Sequence, residues 1–256
     1  MPSSTSPTPL AVRLFVLHHA GGSHLTFRHW PRLLPGTWQV RLLDAPGHGR
    51  LLDMEPAADA GRLADFLLER LEPELHDPAP FAFFGHSMGA VLAYEMTRRL
   101  AVRGRALPVW LGLSARGAPP GAGRGPHARH TLDDAALQAH LRRLGGTPAE
   151  VLDSPAMWAR FAPLIRTDLR LVDSYTLTPG TPRLPVACCV YGGRADGTVP
   201  RERLAAWQDL TDRFGGVRLF DGGHFYFLDD PAPLLAQITG DLSAALAATR
   251  TAAAPN

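Results

Sequence analysis

Phe81-Ala82-Phe83-Phe84-Gly85-His86-Ser87-Met88-Gly89-Ala90 decides the fold. The apolar run Phe81 to Phe84 predicts a short strand buried on both faces. Ala90 to Leu100, with Ala93, Met96, Thr97 and Leu100 at helical spacing, predicts a helix. Between them lies Gly-x-Ser-x-Gly. So short a passage from strand to helix forces the central serine into a strained conformation and lifts its hydroxyl above the sheet. Gly85 and Gly89 must be small because strand and helix pass close together there, and Ala90 meets the same need. A chance glycine-rich turn could match the five residues. The strand before it and the helix after it make Ser87 a nucleophile.

Outward from this point, strands and helices alternate. Val12 to Leu17 reads as a strand that ends in His18-His19-Ala20-Gly21-Gly22-Ser23, where paired glycines let backbone N–H groups point at a ligand. Phe27 to Leu34 predicts a short helix and Trp38 to Leu43 a strand, followed by the turn-rich Asp44-Ala45-Pro46-Gly47-His48-Gly49-Arg50. Ala58 to Leu75 is amphipathic, and Pro108 to Leu113 is a strand. The pattern resumes with a strand at Pro185 to Tyr191, a helix at Arg201 to Asp209, a strand at Gly216 to Phe220 and a helix at Pro231 to Ala248. Such alternation predicts an α/β fold, a mostly parallel central sheet with helices on both faces. Residues 115–184 interrupt it with a Pro/Gly-rich loop and two helices, Leu132 to Leu144 and Pro155 to Tyr175, an insertion expected to act as a helical lid.

Composition narrows the class. The 256 residues suit one domain, expected over residues 11–248, with tails at 1–10 and 249–256 expected to be disordered. A formal charge of +2, with every basic residue an Arg and no Lys/Arg-rich block, gives no footprint for nucleic acid. No secretory leader and no apolar run near the ~18 residues of a membrane helix is visible, so a cytoplasmic protein is expected. Cys188 and Cys189, adjacent within a strand, point to opposite faces and read as buried apolar groups, not as a disulfide or metal site.

A serine hydroxyl needs a base, and the base needs an orienting acid, in the chain order Ser, Asp or Glu, His. His224, in Asp221-Gly222-Gly223-His224-Phe225-Tyr226-Phe227 straight after a strand, meets the requirement for the base. Histidines ahead of Ser87 fall in the wrong order, and His86 flanks the serine with its ring turned elsewhere. The acid is Asp196, in Gly192-Gly193-Arg194-Ala195-Asp196, because the loop after the preceding strand, residues 114–130, contains no Asp or Glu. Arg194 offers the competing reading of Asp196 as an ordinary ion pair. The oxyanion is assigned to the backbone N–H groups of Ala20 and Met88. Nothing in this set requires a metal or a bound cofactor.

These residues resemble the type II thioesterases that accompany polyketide synthases and non-ribosomal peptide synthetases. The likeness is carried by His19-Ala20-Gly21-Gly22-Ser23 and Gly85-His86-Ser87-Met88-Gly89-Ala90. It extends to Leu141-Arg142-Arg143-Leu144-Gly145-Gly146-Thr147-Pro148, Arg170-Leu171-Val172-Asp173-Ser174-Tyr175, Gly192-Gly193 with Asp196, and Gly222-Gly223-His224-Phe225. Asp44 to Arg50 departs from the family's Tyr-Pro-Gly-Arg stretch and is closer to general α/β hydrolases. The resemblance implies an α/β-hydrolase fold and hydrolysis of acyl groups from the phosphopantetheine arm of an acyl or peptidyl carrier protein; a monomer is expected. Met157, Trp158, Phe161 and Phe225 are candidates to line the route of that arm. The triad alone does not separate this activity from a small-molecule carboxylesterase or acyltransferase.

Overall fold

The computed structural model describes residues 11–57, 59–119 and 128–253. Six strands form one sheet in the order β2-β1-β3-β4-β5-β6, and every neighbouring pair runs parallel. They are β1 (Val12–Leu17), β2 (Trp38–Leu43), β3 (Phe81–His86), β4 (Trp110–Ser114), β5 (Leu184–Gly193) and β6 (Thr211–Phe220). The order turns back at β1, which lies between β2 and β3. In open α/β sheets ligands bind beyond the carboxyl ends of the strands at such a reversal. One register row, Leu17–Gly85–Leu113–Val190–Val217, crosses the five strands from β1 to β6. The loops that leave these strands therefore open on one edge.

Nine helices in the described residues complete the chain: α1 (Trp30–Leu33), α2 (Ala60–Arg70), α3 (Glu72–Leu75), α4 (Met88–Val102), α5 (Asp134–Leu144), α6 (Ala149–Asp153), α7 (Pro155–Ser174), α8 (Arg201–Ala205) and α9 (Ala232–Ala253). Strand alternation sends side chains to two cores. Phe15, Phe83 and Cys188 pack with Leu63 and Leu67 of α2, Val91 of α4 and Trp207. On the other face Leu14, Val16, Phe84 and Cys189 pack with Trp30 of α1 and Leu234, Ile238 and Leu242 of α9. The sheet is thus covered on both sides, and the free cysteines fall on opposite faces as their adjacency requires. Phe83 and Phe84 are fully buried, each stabilising the fold by about 2–3 kcal/mol.

Several boundaries shift for identifiable reasons. Helix α9 continues to Ala253, with the hydroxyls of Thr249 and Thr251 donating to the carbonyls of Ala245 and Ala247, so the expected disordered tail at 249–256 is corrected: its first five residues are helical. The expected tail at 1–10 lies outside the described residues. Strand β6 begins five residues before Gly216, because a bulge between Phe214 and Gly216, the latter at φ 98°, hides its first half from an alternation count. The helix expected from Ala58 starts at Ala60, where Asp59 accepts the N–H of Arg62 as its N-cap, and position 58 itself lies outside the described residues. Phe27 to Leu34 splits into a 3₁₀ turn, His24–Phe27, and the one-turn α1.

The insertion has a core of its own: Leu137 and Leu141 of α5, Leu152 of α6, and Trp158, Ala162, Ile165 and Leu169 of α7. It is fastened to the sheet domain from several directions. Tyr175 donates to Glu95 of α4 at 2.8 Å, and Glu95 also holds Arg98 and Arg99. The loop after α5 lies on Phe225, with Gly145 and Gly146 at φ 81° and 79°; a Cβ on Gly146 would strike the Phe225 ring.

Candidate active site

Ser87 sits where the fold strains the backbone. Its φ of 55° and ψ of −106° are unusual for a residue with a side chain, and α4 starts at the next residue. Two glycines make the turn possible. A Cβ on Gly85 would overlap the backbone of Gly89, and a Cβ on Gly89 would overlap the carbonyl of Leu17. The Ser87 N–H donates to the Ser114 carbonyl at 2.8 Å, which anchors the turn to β4.

The candidate acid and base come from the ends of β5 and β6. Gly193 lies so close to the carbonyls of Gly222 and Gly223 that a Cβ there would overlap them, and the Ala195 N–H donates to Gly222 at 2.9 Å. Those contacts fold the two loops together. His224 Nδ1 lies 2.7 Å from Asp196 Oδ2, with both residues buried. The other oxygen, Oδ1, accepts the N–H of Thr198 at 2.9 Å and its hydroxyl at 2.6 Å. Burial alone would raise the Asp196 pKa; the bonds from His224 and Thr198 outweigh it and hold the carboxyl below its ordinary 3.8. An ionised acid on Nδ1 fixes the proton there and leaves Nε2 as the acceptor. Arg194 pairs with Asp221 at 3.1 Å, which disposes of the ion-pair reading of Asp196.

Ser87 and His224 line one cavity of about 410 Å³. Among the described residues no hydrogen bond joins the Ser87 hydroxyl to the imidazole; catalytic contacts of this kind commonly tighten only when substrate arrives. The rest of the wall comprises Ala115, Arg116, Gly117, Arg129, Leu132, His140, Gly197, Thr198, Val199 and Arg203. Met88 is the first residue of α4, so its N–H is one of the helix's unsatisfied donors. Ala20 lies in the loop after β1, and among the described residues its N–H meets no acceptor in the chain.

The residues expected to line the route of the arm stand apart from the wall that Ser87 and His224 share. Met157, Trp158, Phe161 and Phe225 are not on the wall of this cavity. Trp158 is a core residue of the insertion and Phe161 packs against that core, because the α7 stripe that looked like a channel faces α5 and α6. Met157 is exposed on the outside of α7. Phe225 is a wedge, its ring 4.6 Å from that of His19 and 5.0 Å from that of His86, with Gly146 over it. It supports the loop that carries His224.

One group escaped the motif reading. Asp168, buried on α7, accepts the N–H of Gly21 at 2.7 Å and lies 3.2 Å from His48 Nε2. His48 Nδ1 is 2.7 Å from the Gly22 carbonyl. With a carbonyl on one ring nitrogen and a carboxylate on the other, both must donate, so the imidazole is held as a cation. Burial would push the His48 pKa down; the bond and charge of Asp168 override that and raise it above 6.5. Its signal lay in two unexplained residues, the His of Gly47-His48-Gly49 and the Asp of Arg166-Thr167-Asp168-Leu169, too far apart in sequence to be paired by spacing. Three other buried histidines are shifted the opposite way, chiefly through burial: His18 falls to about 4, and His19 and His86 well below their ordinary value. His86 Nδ1 lies 2.9 Å from the Ser114 hydroxyl.

The Thioesterase family, described as a thioesterase domain, matches residues 12–242. The gramicidin S biosynthesis protein GrsT of Aneurinibacillus migulanus is 31% identical over 222 residues, covering 85% of this chain and 84% of that protein. The RedJ thioesterase of the prodiginine biosynthetic pathway in Streptomyces coelicolor superposes with a TM-score of 0.81 at 33% identity, over 92% of this chain and 87% of its own. The type II thioesterase BorB of the borrelidin biosynthetic cluster superposes with a TM-score of 0.78 at 34% identity, over 93% and 94% of the two chains. The family match and these identities agree with the elbow and the acid–base pair: the chain belongs to the thioesterase family, of the type II kind found in polyketide and non-ribosomal peptide pathways.

Proposed function

We propose that this protein hydrolyses acyl thioesters held on the phosphopantetheine arm of an acyl or peptidyl carrier protein, clearing wrong or stalled acyl groups. What supports the reading is the 2.7 Å Asp196–His224 pair, opening on the same cavity as Ser87 in a chain of the thioesterase family. Ser87 attacks the thioester carbonyl as His224 Nε2 takes its proton, forming the C–O bond. The negative oxygen that develops is received by the N–H groups of Ala20 and Met88. The C–S bond then breaks, and His224 returns the proton to the departing thiol. Water, deprotonated by the same imidazole, attacks the acyl-serine; the acid leaves and Ser87 regains its proton. Asp196 keeps its charge throughout and stabilises the imidazolium.

The pantetheine arm belongs to the substrate, so the chemistry uses only side chains and backbone of this chain. The test is single-turnover hydrolysis of butanoyl and longer acyl groups loaded on a carrier protein, against matched oxoesters. The reading expects thioester cleavage that Ser87→Ala abolishes while the unfolding midpoint stays in place. Rapid oxoester cleavage with inert carrier thioesters would overturn it.

A further inference from the structure

Ser114, the last residue of β4, is fully buried and touches both halves of the site. Its carbonyl accepts the Ser87 N–H at 2.8 Å. Its hydroxyl lies 2.9 Å from Nδ1 of His86, its register partner on β3 and the residue before the nucleophile. The same hydroxyl lies 2.8 Å from the hydroxyl of Tyr226, which follows His224 in the loop after β6. One residue therefore grips the turn that carries Ser87 and the loop that carries His224. The His86 ring adds a packing contact between the same parts, 5.2 Å from the ring of His224.

Only one direction of hydrogen bonding uses both hydroxyl protons: Tyr226 donates to Ser114, and Ser114 donates to His86 Nδ1. In reverse, the phenol proton meets no acceptor among the described residues. The titration shifts agree with this direction. Burial pushes the Tyr226 phenol above its ordinary 10, and burial, then the charges of His224 and His19, pushes His86 well below 6.5. The phenol keeps its proton, and the imidazole is free to accept. Tyr226 is itself held rigidly. Its ring stacks on Phe220, the last residue of β6, with centroids 5.2 Å apart and planes at 2°. Gly222, at φ 116°, passes so close that a Cβ there would lie 3.1 Å from the Tyr226 Cα. The glycine pair lets this loop bend, and the bond to Asp196 orients the imidazole without setting its distance from Ser87.

We propose that Ser114 is a positioning residue that sets the spacing between nucleophile and base, its carbonyl holding the Ser87 turn and its hydroxyl holding the His224 loop through Tyr226. This rests on the reading above, in which Ser87 and His224 fill those roles. Ser114 touches no reacting atom. Because no hydrogen bond joins the Ser87 hydroxyl to the imidazole among the described residues, the scaffold sets the gap that substrate must close, and misplacement there is felt in the rate. A bond of structural use alone stands nearby for comparison. Tyr191, the register partner of Ser114 on β5, donates its hydroxyl to Asp241 of α9 at 2.7 Å, a link that joins sheet to helix and neither loop.

The experiment measures the rate of phosphonylation by a fluorophosphonate, which needs Ser87 and His224 but no acyl substrate, and the steady-state hydrolysis of butanoyl-pantetheine. It uses the full chain and the variants Ser114→Ala, Tyr226→Phe, their combination, and Tyr191→Phe. Ser114→Ala keeps the carbonyl that holds Ser87. Tyr226→Phe keeps the stacked ring and covers the case in which Ser114→Ala fails to fold. Loss of a link that fixes the gap predicts that kcat and the phosphonylation rate each fall about tenfold in both single variants, with KM moving less than about twofold. The double variant should be no slower than the slower single, since both changes cut the same link. Tyr191→Phe should lower the urea midpoint and leave both rates within about twofold. A folded single variant that keeps both rates within about twofold overturns the proposal. So do losses that multiply in the double variant, and so does a loss in Tyr191→Phe equal to that in Tyr226→Phe, which would make the rates a report on stability. If the unsubstituted chain is phosphonylated but hydrolyses no thioester, the functional reading falls alone and phosphonylation decides the role of Ser114. If it does neither, both fall.

Discussion

Asp168, on the insertion, accepts the N–H of Gly21, in the loop that carries the proposed oxyanion donor Ala20, at 2.7 Å. The two residues are 147 apart in sequence. Through this bond, and through His48 to the Gly22 carbonyl, α7 holds the loop by a donor and an acceptor at once. Ile165, one turn earlier on α7, lies against Gly21, so the contact also has an apolar side. Oxyanion stabilisation depends on donors fixed before charge develops. The insertion therefore reaches the chemistry through the backbone of the β1 loop as well as through the cavity wall.

Asp168→Ala is expected to lower kcat about 10²-fold, the order seen when one oxyanion donor is lost, with a smaller change in KM. Asp168→Asn keeps an acceptor for the Gly21 N–H and should recover part of the loss. Steady-state kinetics on one acyl thioester decides. Equal kcat in all three proteins would show that the loop holds its shape unaided.

The charged His48 gives the fold a pH dependence of known sign. Its folded pKa is raised above 6.5, so the stability it contributes is fully present below that value and is lost as pH rises through the raised one. The groups facing it are Asp168, Asp44 and neutral His18. Asp196 and Asp44 act elsewhere: with folded values below 3.8, their contributions are lost only on acidification. Urea midpoints measured between about pH 6 and about pH 9 should fall more for the unsubstituted chain than for His48→Gln. Parallel curves would mean that the imidazole is neutral.

What the sequence made legible follows period and order. The strands β1 and β2 were readable to the residue because stretches with an apolar residue at least at every second position end at turn residues, and the Asp196–His224 pair was readable because chain order and glycine pairs point to it. The insertion was readable as helical, but not as to what its apolar stripe faces. A stripe at helical spacing is the same whether it lines a channel or packs on α5, and only the fold assigned Trp158 to the latter. Asp168 and His48 were silent because a pair so distant in sequence leaves no local pattern.

Thr198 tests how tightly the acid must be held. Its N–H and hydroxyl both bind Asp196 Oδ1, and the hydroxyl lies 3.5 Å from His224 Nδ1. Asp196→Asn is expected to lower kcat about 10⁴-fold, because the imidazole loses its tautomer. Thr198→Val removes one charge-assisted bond, worth roughly 1.5–3 kcal/mol, and leaves the carboxylate charged. Its kcat should fall by about tenfold to a hundredfold. Thr198→Ser, which keeps the hydroxyl, should restore most of it. Pre-steady-state acylation rates separate these outcomes, and an unaltered Thr198→Val rate would confine the residue to structure.

Gly89 joins stability and catalysis at one atom. The elbow brings the first turn of α4 against the end of β1, and a methyl at Gly89 would meet the carbonyl of Leu17. That atom is backbone, so it cannot rotate away; β1 or α4 must shift. Overpacking of this kind typically costs about 1–3 kcal/mol, and Gly89→Ala should sit at the upper end. Leu17 leads directly into His18, His19 and Ala20, so the same shift moves the proposed oxyanion donor Ala20 relative to Met88 N–H. A displacement near 1 Å can cost about 10²-fold in rate. Gly89→Ala should therefore lose both unfolding midpoint and kcat. Gly240→Ala, on α9 where an added methyl meets nothing, should lose neither. Chemical denaturation and kcat measured on the same preparations provide the check. Full activity in a destabilised Gly89→Ala would show that β1 stays in place and that α4 alone yields.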